Sequence, residues 1–85
     1  MAITTPDWLE ARGGRLAQNY DGRTWLVLLN DTPQYRLTPV PAVGRFTCQV
    51  VQSVNGRRLD KDATYATTDE AVNGGAEELR RALGW

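Results

Sequence analysis

The chain has 85 residues, ten basic and ten acidic, with no histidine and one cysteine. Its 41% apolar content is ordinary for a globular protein, which excludes disorder, and residues 1–85 are one small domain near the lower limit of a single hydrophobic core. Zero net charge lacks the basic excess of a domain built on phosphate contacts, and without histidine the commonest general base and transition-metal ligand are gone.

In chain order, residues 5–13 predict a short N-terminal helix. Thr5 is placed to cap it, Pro6 suits the first helical position, Asp7 and Glu10 complement the dipole, and Gly13-Gly14 stops it. Residues 15–20 and 23–29 flank Asp21-Gly22, a two-residue hairpin signal of type I′. Pairing Tyr20 with Arg23 sets Gln18 opposite Trp25 and Leu16 opposite Val27. One face then carries Leu16, Gln18, Tyr20, Trp25, Val27 and Leu29, the other Ala17, Asn19, Thr24, Leu26 and Leu28. The second strand is apolar on both faces and is expected to be central or covered on two sides. After the turn at 30–33, residues 35–38 form a short strand that Pro39 and Pro41 keep from a central position.

Residues 46–54 are the clearest strand, with Phe46, Cys48, Val50 and Val54 alternating against Thr47, Gln49 and Ser53. Asn55-Gly56 turns the chain, and 57–61 returns as a charged edge strand whose one apolar residue is Leu59. Thr67 caps the last helix, with Glu70 completing a capping box and Val72, Gly75, Ala76, Leu79 and Leu83 at helical spacing. Glu77 and Arg81 are spaced as an i,i+4 pair. Gly74-Gly75 in mid-helix signals either close approach to the sheet or a kink. The expected fold is α+β: an antiparallel sheet of four to five short strands, a helix over 68–83 on one face and a short N-terminal helix. Its core is drawn from Leu16, Trp25, Val27, Phe46, Cys48, Val50, Val54, Val72, Ala76, Leu79 and Leu83.

Little in the chain carries chemistry. Cys48 lies on an apolar strand face and reads as a buried small hydrophobe, not a nucleophile. Asp60-Lys61-Asp62 lacks the fuller calcium-loop pattern and reads as solvated turn residues. The glycine pairs match no phosphate-binding fingerprint. No enzyme, metal or cofactor is expected. No membrane segment and no signal peptide is read, and the single cysteine suits a reducing, cytoplasmic compartment. Arg23, Arg36, Arg57 and Arg58, with Arg45 beside them and Tyr35 or Trp25 to stack a base, are the candidate nucleic-acid contacts. Trp85, Leu26 and Leu28 are the candidate interface residues; Trp85 either folds back or meets a partner.

The stretch Tyr65-Ala66-Thr67-Thr68-Asp69-Glu70-Ala71-Val72, following short strands, resembles the strand-to-helix junction of two families. They are the HicB-like antitoxin fold and the arm-binding domain of tyrosine integrases, in which a three-stranded sheet reads DNA and a helix backs it. The chain departs from both: the integrase domain's strongly basic sheet is missing, and the antitoxin's first strand is not clear. No functional residue is carried over. The leading expectation is a non-catalytic module that binds a protein partner or itself; the alternative is a nucleic-acid-binding sheet.

Overall fold

The computed structural model describes residues 3–60 and 63–85. Its elements run α1 (Asp7–Glu10), β1 (Gly14–Gln18), β2 (Trp25–Leu29), β3 (Thr32–Ala42), β4 (Arg45–Gln52) and α2 (Thr68–Leu83). The four strands make one antiparallel sheet in chain order, and α2 lies across β3 and β4. This is the expected α+β architecture.

Strand alternation decides what meets the helix. Leu16, Trp25, Val27, Tyr35, Leu37, Phe46, Cys48 and Val50 share the face under α2, where Ala71, Val72, Ala76 and Leu79 join them. Leu9 of α1 is fully buried and extends this core toward β1. Leu9, Tyr35, Leu37 and Ala71 belong to the core although the periodicity argument did not select them. The opposite face carries Ala17, Leu26, Leu28, Arg36, Thr38, Val40 and Val51.

Asp21-Gly22 and Asn55-Gly56 both mark turns, but neither closes with two residues. The first hairpin has the expected register, Gln18 opposite Trp25 and Leu16 opposite Val27. Its tip spans four residues, 20–23, closed by the Asn19 N–H on the Thr24 carbonyl at 2.8 Å. A type I′ turn needs positive φ at both central residues, and only Gly22 has it, at 74°. Asp21 instead accepts the Arg23 and Thr24 N–H groups on Oδ1, at 2.9 and 3.0 Å, and these bonds hold its pKa below the ordinary value. The second tip, 53–56, is likewise closed by Gln52 N–H on the Arg57 carbonyl at 2.8 Å. The return is a single bridge, Arg58 to Val51, and not a fifth strand. Val54, expected in the core, sits at this tip and is 80% exposed. The two-residue turns are Asn30-Asp31, with φ of 52° and 62°, and Val43-Gly44, with φ of 44° and 78°.

β3 corrects a second expectation. It runs through Pro39 and Pro41 and is central, between β2 and β4. Its pairing with β2 ends at Leu37 opposite Trp25, so both prolines have only β4 as neighbour. A proline whose nitrogen faces the vacated side removes no ladder bond. Gln34 is left unpaired at a bulge and accepts the Ser53 N–H at 2.8 Å.

The helix ends differ in how closely they follow the pattern. Thr67 Oγ1 accepts the Glu70 N–H at 3.1 Å, Glu70 reaches back to the Ala66 N–H at 3.3 Å, and Gly84 ends α2 at φ 72°. Glu77 pairs with Arg80 at 3.8 Å, one residue short of the expected Arg81. Thr5 does not cap α1: Pro6 holds that position, and Thr5 Oγ1 accepts the Leu16 N–H of β1 at 3.1 Å. Gly74 and Gly75 settle on close approach. A Cβ on Gly75 would strike Cys48 Sγ, and one on Gly74 would strike the Tyr65 ring. The outer edge of β4 is occupied at both ends, by reciprocal Phe46–Tyr65 bonds of 2.8 and 2.7 Å and by the Leu59 N–H on Val50 at 2.8 Å.

Candidate functional site

The end of the sheet where β1 turns into β2 and β3 into β4 concentrates the unusual surface. A cavity of about 250 Å³ opens there. Trp25, Phe46, Pro39, Pro41, Val72 and Ile3 supply its apolar walls; Arg23 stands on the hairpin side and Asp69 on the first turn of α2. The strands dictate this arrangement. Trp25 and Phe46 are the helix-facing residues at the ends of β2 and β4, and the prolines stand where β3 has outrun β2. Because β2 stops at Trp25, no strand fills the space beside 39–41. A concave apolar pocket with a few polar groups at its rim is the usual form of a binding site.

Two fully exposed apolar side chains stand on the loops that border this cavity. Tyr20, 99% exposed, precedes the cavity residues Gly22 and Arg23. Val43, 105% exposed, lies between Pro41 and Phe46. Val43 is costly twice over. A β-branched residue at φ 44° sits in the left-handed region, at about 1–2 kcal/mol per residue, and its side chain recovers nothing by burial. Glycine or asparagine would hold the same turn without that strain.

The arginines do not assemble. Arg36 lies opposite Leu26 and Val51, on the face turned from α2, with Arg58 beyond Val51 in the same row. Arg58 is engaged by Asp60, at 2.9 and 2.7 Å, which together with the Val50 N–H holds the Asp60 pKa below its ordinary value. Arg57 follows the 53–56 tip, and Arg23 is at the opposite end of the sheet. Arg45 donates to Thr64 Oγ1 at 3.0 Å. Tyr35 and Trp25, the stacking candidates, are on the α2 side, away from Arg36. Of the candidate interface residues, Leu28 is only 6% exposed and Leu26 half-buried. Trp85 has partners within the chain: it meets Trp8 edge-on with centroids 6.0 Å apart, and Arg12 stacks over it at 4.4 Å.

Cys48 is 2% exposed, and burial, with Glu78 and Asp60 nearby, pushes its thiol up to about 12. The Tyr65 hydroxyl donates to Glu78 at 3.0 Å; burial and that carboxylate raise it to about 12. Neither is poised to react at neutral pH. Lys61 and Asp62 lie outside the described residues. Among the described residues no group of three or more metal-ligating side chains occurs, and no helix is long and apolar enough to cross a membrane. Neither Tyr20 nor Val43 entered the candidate list read from sequence. Signals existed: Val43-Gly44 separates two alternating stretches by two residues, and Tyr20 adjoins a turn dipeptide.

Comparison with protein-family models, with curated proteins and with solved structures returned no match.

Proposed function

We propose that this chain is a small, non-catalytic, cytoplasmic protein-interaction module whose binding surface is the loop end of the sheet. The observation that carries this reading is Val43, held at φ 44° and fully exposed. A strained backbone at a surface position that returns no packing energy is a mark of function, since its cost is recovered only when something else covers it. Tyr20 and the Trp25–Phe46 cavity supply aromatic anchors, the residue types that dominate interface energetics. A buried thiol and the absence of histidine support a role without catalysis. The nucleic-acid reading has less behind it, because Arg36 and the aromatic rings face opposite ways.

The test is Val43→Asn, which relieves strain while replacing the exposed apolar side chain with a polar one. Peptides selected on the parent protein from a random display library are titrated against both forms by NMR. Shifts centred on Tyr20, Trp25, Val43 and Phe46, with affinity reduced at least about tenfold in a variant of higher melting temperature, are expected. Peptides that map elsewhere, or that bind the variant equally well, overturn the proposal.

A further inference from the structure

The loop end presents a projection and a cavity side by side. Tyr20 stands free on the β1–β2 loop, and two residues later the same loop becomes the wall of the cavity between Trp25, Phe46 and Val72. A surface that carries both halves of a fit is complementary to itself, the requirement of a two-fold interface in which the same patch serves both partners. The charges follow the same rule. Arg23 lines the cavity from the β1–β2 loop and Asp69 from the first turn of α2, and neither forms an ion pair among the described residues, although Arg23 lies within electrostatic reach of Asp21. A two-fold pairing of this end offers Arg23 of one copy an acidic partner in Asp69 of the other, twice.

We infer that the partner at the loop end is a second copy of this chain, each copy inserting Tyr20 into the other's Trp25–Phe46 cavity. This rests on the loop end being the binding surface. The size of that end sets the strength. The molecule is small, with extents of 36 × 26 × 23 Å. The loop end is one part of that surface, formed by the β1–β2 and β3–β4 loops and the start of α2. The contact is limited to roughly 500 Å² per copy, about 1,000 Å² in all, at the lower limit of a specific interface. The dimer is thus weak and concentration-dependent, and Val43, exposed on the β3–β4 loop between the cavity residues Pro41 and Phe46, belongs to the same end.

The experiment is sedimentation and NMR of the full chain from about 10 µM to about 1 mM, a range that brackets dissociation constants expected of so small an interface. A mixed sample of labelled and unlabelled protein shows intermolecular contacts between the Tyr20 ring and Trp25 or Phe46. Tyr20→Ser raises the dissociation constant at least about tenfold. Arg23→Glu and Asp69→Arg each weaken the dimer, and the double exchange restores it. Tyr20 and Arg23 are exposed and Asp69 is half-buried, and circular dichroism verifies that each variant is folded. A monomer at the highest concentration overturns the inference, as does a dimer indifferent to Tyr20→Ser. If the chain is monomeric while selected peptides still map to the loop end, the second copy is the wrong partner and the interaction surface stands. If neither binds there, both readings fall.

Discussion

Gly75→Ala tests how close α2 lies to the sheet, and the sign of its effect is the answer. In an open helix the change is stabilising by roughly 1 kcal/mol, because alanine loses less backbone freedom. Here the new methyl would meet Cys48 Sγ and stand 2.9 Å from Cys48 Cβ, closer than carbon atoms tolerate. Cys48 is 2% exposed on β4, in the centre of the sheet face under α2, so it has no free space to enter. Forcing extra carbon into a packed core costs about 1–3 kcal/mol, which outweighs or cancels the propensity gain. The expected net is a loss of up to about 2 kcal/mol, and each kcal/mol lowers the melting temperature of a domain this size by about 4–8 °C. Thermal unfolding followed by circular dichroism reads this directly. Cys48→Gly in the same background vacates the contact, so the double variant loses less than the two single losses added together. If Gly75→Ala raises the melting temperature by the full propensity gain, the helix does not lie where the reasoning puts it.

Two further outcomes follow from the same packing. Stability falls as pH rises from about 9 to about 12, because Cys48 and Tyr65 are both held protonated by the fold, with pKa values raised to about 12 from ordinary values of 9.0 and 10.0. A raised folded-state value gives stability that is complete below the unfolded pKa and is lost on passing the folded one. Tyr65→Phe therefore removes part of the alkaline slope in denaturant titrations, and an unchanged slope would contradict the burial of that hydroxyl. Thr67→Ala removes the acceptor of the Glu70 N–H and costs about 1 kcal/mol in chemical denaturation; a neutral result would mean that the cap is not formed in solution.

Sequence legibility followed the kind of force involved. The α2 boundaries, the register of the first hairpin and the helix-facing alternation of Phe46, Cys48 and Val50 rest on periodicity and capping, which are local, and they were readable. Turn lengths were not. Asp21-Gly22 has the composition of a type I′ turn, yet the Asp21 carboxylate captured two N–H groups and stabilised a four-residue tip. β3 was misjudged because a proline is excluded from a ladder only where a neighbour needs its N–H, and the early end of β2 is a tertiary fact. Leu9 and Leu37 are buried by elements distant in the chain, which periodicity within a short segment does not weigh. The loop end was hard to single out for a related reason. Leu26 and Leu28 looked conspicuous as apolar residues on a second strand face, whereas Val43 became conspicuous only through its backbone angle and exposure.

The hydrogen bonds already made along the margins of the sheet have a practical consequence for solubility. A bare margin recruits strands from other molecules and grows without limit, which is how sheet proteins pass into fibres at high concentration. Here Tyr65 and Leu59 already satisfy β4 positions along one margin, and Thr5 holds the Leu16 N–H on the other, a strand of only five residues. Strand addition is therefore hindered at these positions, whereas a two-fold contact at the loop end stops at two copies. The millimolar samples needed to observe a weak dimer should remain clear solutions.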